Sequence, residues 1–224
     1  MEKRYILFDL DGTLTASYEG IINAFVYSLG KMGVEPITER FNEVIGPPLR
    51  HSYEGIYGMS PEDCEQAVKY FREYYNDRGL FENKPYDGIL DMMHTLYAHD
   101  KKLMIATAKP ERTAERIAEH FGMTQYLCFI AGTTSDFIPA DGSKDVRATK
   151  EDVIRYILSS NDIKDPEKAV MIGDRAYDIS SAKKFGLQTV GVLYGYGTGE
   201  ELLSAGADYL AKDPMDIERY IIER

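Results

Sequence analysis

The fold is decided by one stretch near the N-terminus, Tyr5-Ile6-Leu7-Phe8-Asp9-Leu10-Asp11-Gly12-Thr13. It opens with an unbroken apolar run, which is typical of a strand buried on both faces, as the central strands of parallel sheets are. Similar short runs recur at 103–106, 127–130, 169–172 and 189–192, with helical patterns between most of them. This alternation predicts an α/β fold with a doubly wound parallel sheet, whose active crevice lies at the carboxyl ends of the strands.

A helical segment interrupts this alternation after the first strand. Between residues 16 and 84 no convincing buried strand occurs, whereas apolar residues recur every three or four positions over Ile21–Met32, as in an amphipathic helix. Ser60-Pro61 marks the start of another helix, with the serine as its N-cap. We therefore predict a Rossmann-like core formed by residues 1–15 and 85–224, into which residues 16–84 are inserted as an α-helical cap.

Composition and charge exclude several classes of function. Of the 224 residues, 37 are Asp or Glu and 26 are Lys or Arg, and the formal net charge of −11 would repel nucleic acid and membrane lipids of negative charge. We therefore expect neither nucleic acid nor a membrane as a partner. The two cysteines, Cys64 and Cys128, form no Cys-x-x-Cys motif, and no apolar run is long enough for a signal peptide or a membrane span. The expectation is a cytoplasmic protein in a reducing compartment.

Two carboxylates end the first strand. Asp9 and Asp11 stand two positions apart, and the turn at Gly12-Thr13 allows both to face one crevice. Like charges this close are costly unless one is protonated or a cation neutralises them. Mg²⁺ suits this role, because it takes one or two carboxylates and shares the phosphate oxygens of a substrate. The alternative is that Asp-x-Asp-Gly is an ordinary turn or a fragment of a calcium loop.

A second acidic pair, Asp174 and Asp178, follows the apolar run 169–172. If that run is also a parallel strand, Asp174 lies beside Asp9 and Asp11, and three carboxylates converge. Alternatively, Asp174 is a helix N-cap and Asp178 a solvated residue of the first helical turn, both of which are common uses of aspartate.

Candidate phosphate ligands follow two further elements. Thr107 is predicted to end the second core strand, where its hydroxyl and the backbone N–H groups that follow, including that of Ala108, could cradle a phosphate. An ordinary helix cap would give the same pattern. Lys150 stands at a predicted helix N-terminus, where a cation is electrostatically unfavourable, and such a conflict is expected of a functional residue. A lone surface lysine, however, is usually just solvated.

Taken together, these motifs resemble those of the haloacid dehalogenase superfamily of phosphohydrolases. They occur in the family's order as Asp9-Leu10-Asp11-Gly12-Thr13-Leu14, Thr107, Lys150, and Gly173-Asp174 with Asp178. The helical insert resembles the small cap of the phosphoglycolate phosphatase and beta-phosphoglucomutase branch. Within that branch, two segments look most like the group related to 5'-nucleotidase or phosphoglycolate phosphatase, namely Ile45-Gly46-Pro47-Pro48-Leu49-Arg50 and Asp141-Gly142-Ser143.

The resemblance implies roles for the carboxylates. Asp9 would be the nucleophile that forms an aspartyl-phosphate, and Asp11 would protonate the leaving oxygen and then activate water. Mg²⁺ would be held by the carboxylate of Asp9, the backbone carbonyl of Asp11 and the carboxylate of Asp174. Asp178 would orient Lys150 or a metal-bound water.

The resemblance also implies ligands for the substrate. Thr107, the N–H of Ala108 and the ammonium of Lys150 would bind the phosphoryl oxygens. Relatives often carry serine where this chain has Ala108, and alanine keeps the backbone donor. Arg50 in the cap could offer a bidentate fork to a substrate carboxylate or second phosphate, or it could be a surface salt-bridge residue. Lys109 is a further candidate for contacting the substrate.

These features together predict a Mg²⁺-dependent phosphatase, a phosphoric monoester hydrolase that acts through an aspartyl-phosphate. Its expected partner is a small phosphorylated metabolite such as phosphoglycolate or a nucleoside 5'-monophosphate, and its expected state is a monomer or a homodimer. Two alternatives share the same core residues: a phosphomutase of the beta-phosphoglucomutase type, and a non-catalytic binding protein on the same fold.

Overall fold

The computed structural model describes residues 3–45, 49–134 and 146–223. The chain divides into two units, of which the first comprises Met1–Thr15 and Pro85–Arg224 and the second comprises Ala16–Lys84. The segments Gly46-Pro47-Pro48 and Asp141-Gly142-Ser143, to which the finer family placement referred, lie outside the described residues.

The first unit is built on a parallel sheet. Its strands are β1 Tyr5–Phe8, β2 Lys102–Pro110, β3 Leu127–Thr133, β4 Ala169–Gly173, β5 Gln188–Val192 and β6 Tyr209–Ala211. They lie in the order β3-β2-β1-β4-β5-β6, and every neighbouring pair is parallel. The central β1 pairs with β2 on one side and β4 on the other, with Phe8 opposite Ile105 and Ile172. The doubly wound sheet predicted from the sequence is confirmed.

Two details of the sheet differ from the prediction. The strand expected to end at Thr107 runs on to Pro110, with a shift in its pairing with β3 between Ala106 and Pro110. The sixth strand, β6, was not predicted, because a strand this short at the edge of the sheet carries no recognisable apolar run.

The α-helices are, in chain order, α1 Tyr18–Met32, α2 Leu49–Tyr57, α3 Pro61–Tyr74, α4 Ile89–Ala98, α5 Glu111–His120, α6 Lys150–Ser160, α7 Ala176–Lys183, α8 Gly199–Ser204 and α9 Pro214–Ile222. In the first unit, α6 packs Val153, Ile154 and Ile157 against the sheet residues Leu7 and Met104, all of them buried. This packing fixes the helix whose first residue is Lys150 at the carboxyl ends of the strands. Within the described residues, no helix combines the length and apolar character needed to cross a lipid bilayer.

The second unit contains α1, α2 and α3 together with a short 3-10 helix and a π-helical turn. Most of the apolar face predicted for α1 is buried, although Val26 is exposed, and the Phe25 ring stacks on Tyr53 of α2 with ring centroids 4.6 Å apart. The buried hydroxyl of Tyr53 donates to Ser28 Oγ at 2.8 Å, and Ser28 Oγ donates to the carbonyl of Ala67 at 2.7 Å. The three helices therefore share one small core that also satisfies its buried hydroxyls.

Candidate active site

The acidic residues of the two motifs lie at the carboxyl ends of neighbouring strands. Asp9 follows β1, and its N–H donates to Ile172 O of β4 at 2.9 Å, which extends the pairing by one residue. Asp174 follows β4 and is fully buried. Since parallel strands end at one edge of the sheet, the side chains after β1 and β4 lie together, as the spacing of the motifs predicts.

Lys150 is the cation at the centre of this cluster. Its Nζ lies 2.6 Å from Asp9 Oδ1, 2.8 Å from Asp178 Oδ1 and 2.8 Å from the carbonyl of Ala106. Burial opposes its charge, but the carboxylates of Asp178 and Asp9 outweigh burial and raise the pKa of Lys150, so the side chain remains an ammonium. It is therefore a buried, charged group rather than a solvated surface lysine.

The start of α6 explains how a lysine can occupy this position. Thr149 is the N-cap, and its hydroxyl accepts from Asp152 N at 3.1 Å while Asp152 Oδ2 accepts from Thr149 N at 3.1 Å. This reciprocal cap satisfies the helix N-terminus and places one carboxylate near it. The helix N-terminus is thus satisfied by Thr149 and Asp152, and the ammonium of Lys150 extends into the cluster.

Three carboxylates cluster here, and two of them, Asp9 and Asp178, contact the ammonium of Lys150. Asp9, Asp174 and Asp178 each offer an oxygen, and these oxygens lie within 4.8 Å of one another. Burial raises the pKa of Asp9 to about 6, against the lowering effect of Lys150, and burial likewise raises the pKa of Asp174. With all three ionised, two negative charges remain uncompensated, and clustered carboxylate oxygens are the ligands that Mg²⁺ prefers. The residues present therefore fit a divalent cation.

The three carboxylates differ in how far the protein already uses them. Asp178 Oδ1 contacts Lys150, and its Oδ2 accepts from Arg175 N at 3.1 Å, so both oxygens are engaged. Asp174 Oδ2 accepts from Tyr196 N at 2.8 Å, and its Oδ1 accepts a longer bond from Thr13 Oγ1 at 3.4 Å. Asp9 uses Oδ1 for Lys150. Asp178 is thus placed as a support for Lys150, which is one of the two roles that the family resemblance implies for it.

A loop after β5, which the sequence reasoning missed, fixes Asp174. Besides the bond from Tyr196 N, Tyr194 OH donates to Thr13 O at 3.0 Å and ties the loop to the turn after β1. A Cβ on Gly195 would lie 2.3 Å from Asp174 Cβ, so only glycine permits this approach. A signal existed in the alternation Tyr194-Gly195-Tyr196-Gly197 directly after the apolar run 189–192.

The candidate phosphate ligands lie on β2. Thr107 is buried and its Oγ1 accepts from Lys109 N at 3.2 Å, which forms a tight turn of backbone around the hydroxyl. Ala108 is exposed, and its carbonyl accepts from Thr133 Oγ1 of β3 at 3.2 Å. Thr107 and Ala108 therefore directly follow Ala106, whose carbonyl accepts a hydrogen bond from Lys150 Nζ.

Asp11 and Lys109 form a separate ion pair. Lys109 Nζ lies 3.0 Å from Asp11 Oδ2, and the side chains are 8% and 20% exposed. The other oxygen, Asp11 Oδ1, is buried and has no hydrogen-bond partner among the described residues. Both residues were predicted to belong to the site, but their contact with each other was not predicted.

Arg50, the other candidate for contacting substrate, belongs to α2 in the second unit. Its guanidinium lies 3.0 Å from Glu65 Oε1 and donates to the carbonyl of Pro61 at 3.3 Å, and its side chain is 49% exposed. Within its own unit, Arg50 therefore makes the surface salt bridge that was the alternative reading of this residue.

Comparison with known proteins agrees with the geometry. Residues 6–192 match the family described as haloacid dehalogenase-like hydrolase. A 5'-nucleotidase from Pseudomonas aeruginosa is 37% identical over 198 residues, which cover 88% of this chain and 86% of that protein. The tyrosine-protein kinase PtkA from Mycobacterium tuberculosis is 36% identical over 196 residues, 87% of this chain but 64% of that protein. The crystal structure of a predicted phosphatase from Clostridium acetobutylicum superposes with a TM-score of 0.88 at 40% identity, and the match covers both chains fully.

Proposed function

The chain belongs to the haloacid dehalogenase-like hydrolase family and is a phosphatase, and from this premise we propose that it hydrolyses a small phosphomonoester through an aspartyl-phosphate with the aid of Mg²⁺. The observation that carries the proposal is the cluster of Asp9, Asp174 and Asp178, in which the buried ammonium of Lys150 contacts Asp9 and Asp178. This is a charge distribution that attracts a divalent cation and leaves a carboxylate oxygen as the nucleophile.

Asp9 is the proposed nucleophile. One of its oxygens forms a bond to phosphorus while the bond from phosphorus to the leaving oxygen breaks, and Asp11 gives that oxygen its proton. Asp11, now a carboxylate, takes a proton from the water that attacks the phosphorus of the aspartyl-phosphate. As the water oxygen bonds to phosphorus, the bond between phosphorus and the Asp9 oxygen breaks. Inorganic phosphate leaves, and Asp9 and Asp11 return to their starting states. Only the ionised form of Asp9 can attack, and the adjacent ammonium of Lys150 favours that form.

The carboxylates of Asp9 and Asp174, with the backbone carbonyl of Asp11, are the proposed metal ligands. When bound, Mg²⁺ would neutralise charge on the transferring phosphoryl group. Asp178 holds Lys150 in place through the 2.8 Å contact with its Nζ. Lys150, Thr107 and the N–H of Ala108 are the proposed ligands of the phosphoryl oxygens, as donors fixed before the reaction begins.

The proposed substrate is a nucleoside 5'-monophosphate, with phosphoglycolate as the second member of the same class. The first is supported by the relative named 5'-nucleotidase, which covers most of both chains. We also propose a cytoplasmic location, because Cys64 and Cys128 are both free thiols, as a reducing compartment would keep them.

A second candidate, transfer of a phosphoryl group to a protein tyrosine, rests on the relative named tyrosine-protein kinase PtkA. It has less support, since this chain spans 64% of that protein's length. Hydrolysis needs only water as the acceptor, and the site supplies a base for it in Asp11.

The test is phosphate release from adenosine 5'-monophosphate, phosphoglycolate, glucose 1-phosphate and ATP, each with Mg²⁺ and with a chelator. We expect Mg²⁺-dependent release from a monophosphate, and a loss of about 1,000-fold or more in Asp9→Asn. Asp208→Asn, a substitution of a charged aspartate at the amino ends of the strands, is the matched control and should keep its activity. Full turnover in Asp9→Asn contradicts the mechanism. Conversion of glucose 1-phosphate to an isomer without phosphate release would identify a mutase, and transfer from ATP to a tyrosine-containing protein would identify the kinase.

A further inference from the structure

The ion pair between Lys109 and Asp11 has no part in the mechanism derived so far. Lys109 Nζ lies 3.0 Å from Asp11 Oδ2 and its side chain is 8% exposed, so this cation is directed inward rather than toward solvent. A ligand for a substrate anion would be expected to present its charge to the crevice. Here the charge already has a carboxylate partner.

The backbone of Lys109 is held firmly. Its N–H donates to Thr107 Oγ1, and the adjacent carbonyl of Ala108 accepts from Thr133 Oγ1 of β3. A Cβ on Gly132 would lie 2.4 Å from the carbonyl oxygen of Lys109, so β3 packs directly against this part of β2. The side chain of Lys109 therefore extends from a rigidly held part of β2. Through Lys109, this part of the strand fixes the position of the Asp11 carboxylate.

The two oxygens of Asp11 are in different situations. Oδ2 is bound by Lys109, whereas Oδ1 is buried and lacks a hydrogen-bond partner in the described part of the chain. A buried carboxylate oxygen without a donor is unusual, since most buried polar atoms are satisfied. The ion pair thus fixes the carboxylate by one oxygen and leaves the other available for a reacting group.

We propose that Lys109 is a positioning residue: it holds the Asp11 carboxyl group so that Oδ1 meets the leaving-group oxygen, and it does not bind the substrate. This inference rests on the proposed function, in which Asp11 is the acid and base. It goes beyond that function in one respect. The contact between Lys109 of β2 and Asp11 in the turn after β1 determines how well the enzyme acts on leaving groups that need a proton.

The consequence is a dependence on the leaving group. An alcohol such as the 5'-oxygen of a nucleoside departs only with a proton, so its departure requires a well-placed acid. 4-Nitrophenolate departs without one. Loss of a residue that positions the acid should therefore slow the hydrolysis of alkyl and phenyl phosphates and spare that of 4-nitrophenyl phosphate.

The experiment compares Lys109→Met, Lys109→Arg and the control Lys102→Met, which changes a lysine at the other end of β2. Adenosine 5'-monophosphate, phenyl phosphate and 4-nitrophenyl phosphate are the substrates, with Mg²⁺ present. We expect Lys109→Met to lower kcat by about 10- to 100-fold on the first two and by less than about 3-fold on the third, with KM unchanged. Lys109→Arg should restore most of the lost kcat, and Lys102→Met should resemble the wild type.

A double-mutant cycle with Asp11→Asn completes the test. If Lys109 acts through Asp11, adding Lys109→Met to Asp11→Asn should cause no further loss on phenyl phosphate. Additive losses, an equal loss on all three substrates, or a rise in KM at constant kcat would each overturn the positioning role. A wild-type enzyme that hydrolyses none of the three substrates would instead refute the proposed function, so the two failures are distinguishable.

Discussion

The two ends of the sheet shift the pKa of an aspartate in opposite directions. Before β6, at the amino ends of the strands, Asp208 accepts from Lys183 Nζ at 2.5 Å and from Thr189 N at 2.8 Å. Burial opposes these donors, but they prevail and hold the pKa of Asp208 below its ordinary value. At the carboxyl ends, burial raises the pKa of Asp9 to about 6 even though Lys150 lies 2.6 Å away.

The difference lies in the balance of charge. At the amino ends Lys183 pairs with Asp208, and the backbone N–H and the hydroxyl of Thr189 also donate to that carboxylate. At the carboxyl ends Lys150 pairs with Asp9 and Asp178 while the carboxylate of Asp174 lies beside them, and the surplus negative charge is buried. A cluster of this kind lowers the stability of the metal-free protein, and such a cost is expected where residues are placed for function rather than for folding.

The largest contrast should come from removing the cation at each end. Lys150→Met leaves the buried carboxylates of Asp9 and Asp178 without their counter-charge, so we expect about 3–5 kcal/mol less unfolding free energy and about 10²- to 10³-fold less activity. Lys183→Met removes a side chain that is 36% exposed, so its cost should stay below about 1 kcal/mol. Urea unfolding of both variants measures the difference. Equal costs at the two ends would break the comparison.

Addition of Mg²⁺ should act at one end only. A cation that binds the folded protein at about 100 times its Kd adds about 2.7 kcal/mol to the unfolding free energy. We expect this gain in the wild type and in Asp208→Asn, and its loss in Asp174→Asn. Thermal unfolding with and without Mg²⁺ is the measurement. A full gain in Asp174→Asn would show that the cation binds elsewhere.

The two ends should also respond to pH with opposite sign. Because folding raises the pKa of Asp9, its contribution to stability is complete below about pH 4, near the ordinary aspartate value, and is lost as pH rises through about 6. Metal-free wild type should therefore lose about 2 kcal/mol relative to Asp9→Asn between pH 4 and pH 7. Urea unfolding across this range tests it, and a difference that does not change with pH would contradict it.

The smallest effect is expected at Asp208. Because folding lowers its pKa, the stabilisation is present above the ordinary aspartate value and is lost as pH falls through the lower, folded value. Asp208→Asn should cost about 1 kcal/mol at pH 7, a figure kept small because the pair is partly exposed. The difference in unfolding free energy between Asp208→Asn and the wild type should disappear toward pH 3. A difference that grows on acidification would contradict the lowered pKa of Asp208.

The parts of the molecule that the sequence predicted are those with a local signature. The short apolar runs around Tyr5–Phe8 and 169–172 predicted the central strands, and the motif residues that follow them predicted the family and the phosphatase class, both confirmed. The helix N-terminus predicted at Lys150 is likewise confirmed, and its signal lies within one helical turn. In each case neighbouring residues carry the whole signal.

The parts that escaped prediction depend on contacts between distant segments. Lys109 meets Asp11 across 98 positions of sequence, and no local pattern encodes which lysine pairs with which carboxylate. The loop at Tyr194–Gly197 reads as an ordinary glycine-rich turn until Asp174 is seen to lie beneath it. The same holds for β6, which becomes a strand only because β5 offers it an edge.

The manner in which the second unit joins the chain bears on how such proteins diversify. Thr15 and Pro85, the residues on either side of the insertion, form an antiparallel β-bridge, and Ala16 N donates to Lys84 O at 2.7 Å. The first unit therefore closes on itself at the insertion point, whatever lies between. Since each doubling of a closed loop costs only about 0.6 kcal/mol, the inserted sequence can be lengthened, shortened or exchanged by recombination with little penalty to the sheet. A chimaera in which residues 16–84 are replaced by the insert of a relative should keep the strands of the parent, and with them its chemistry.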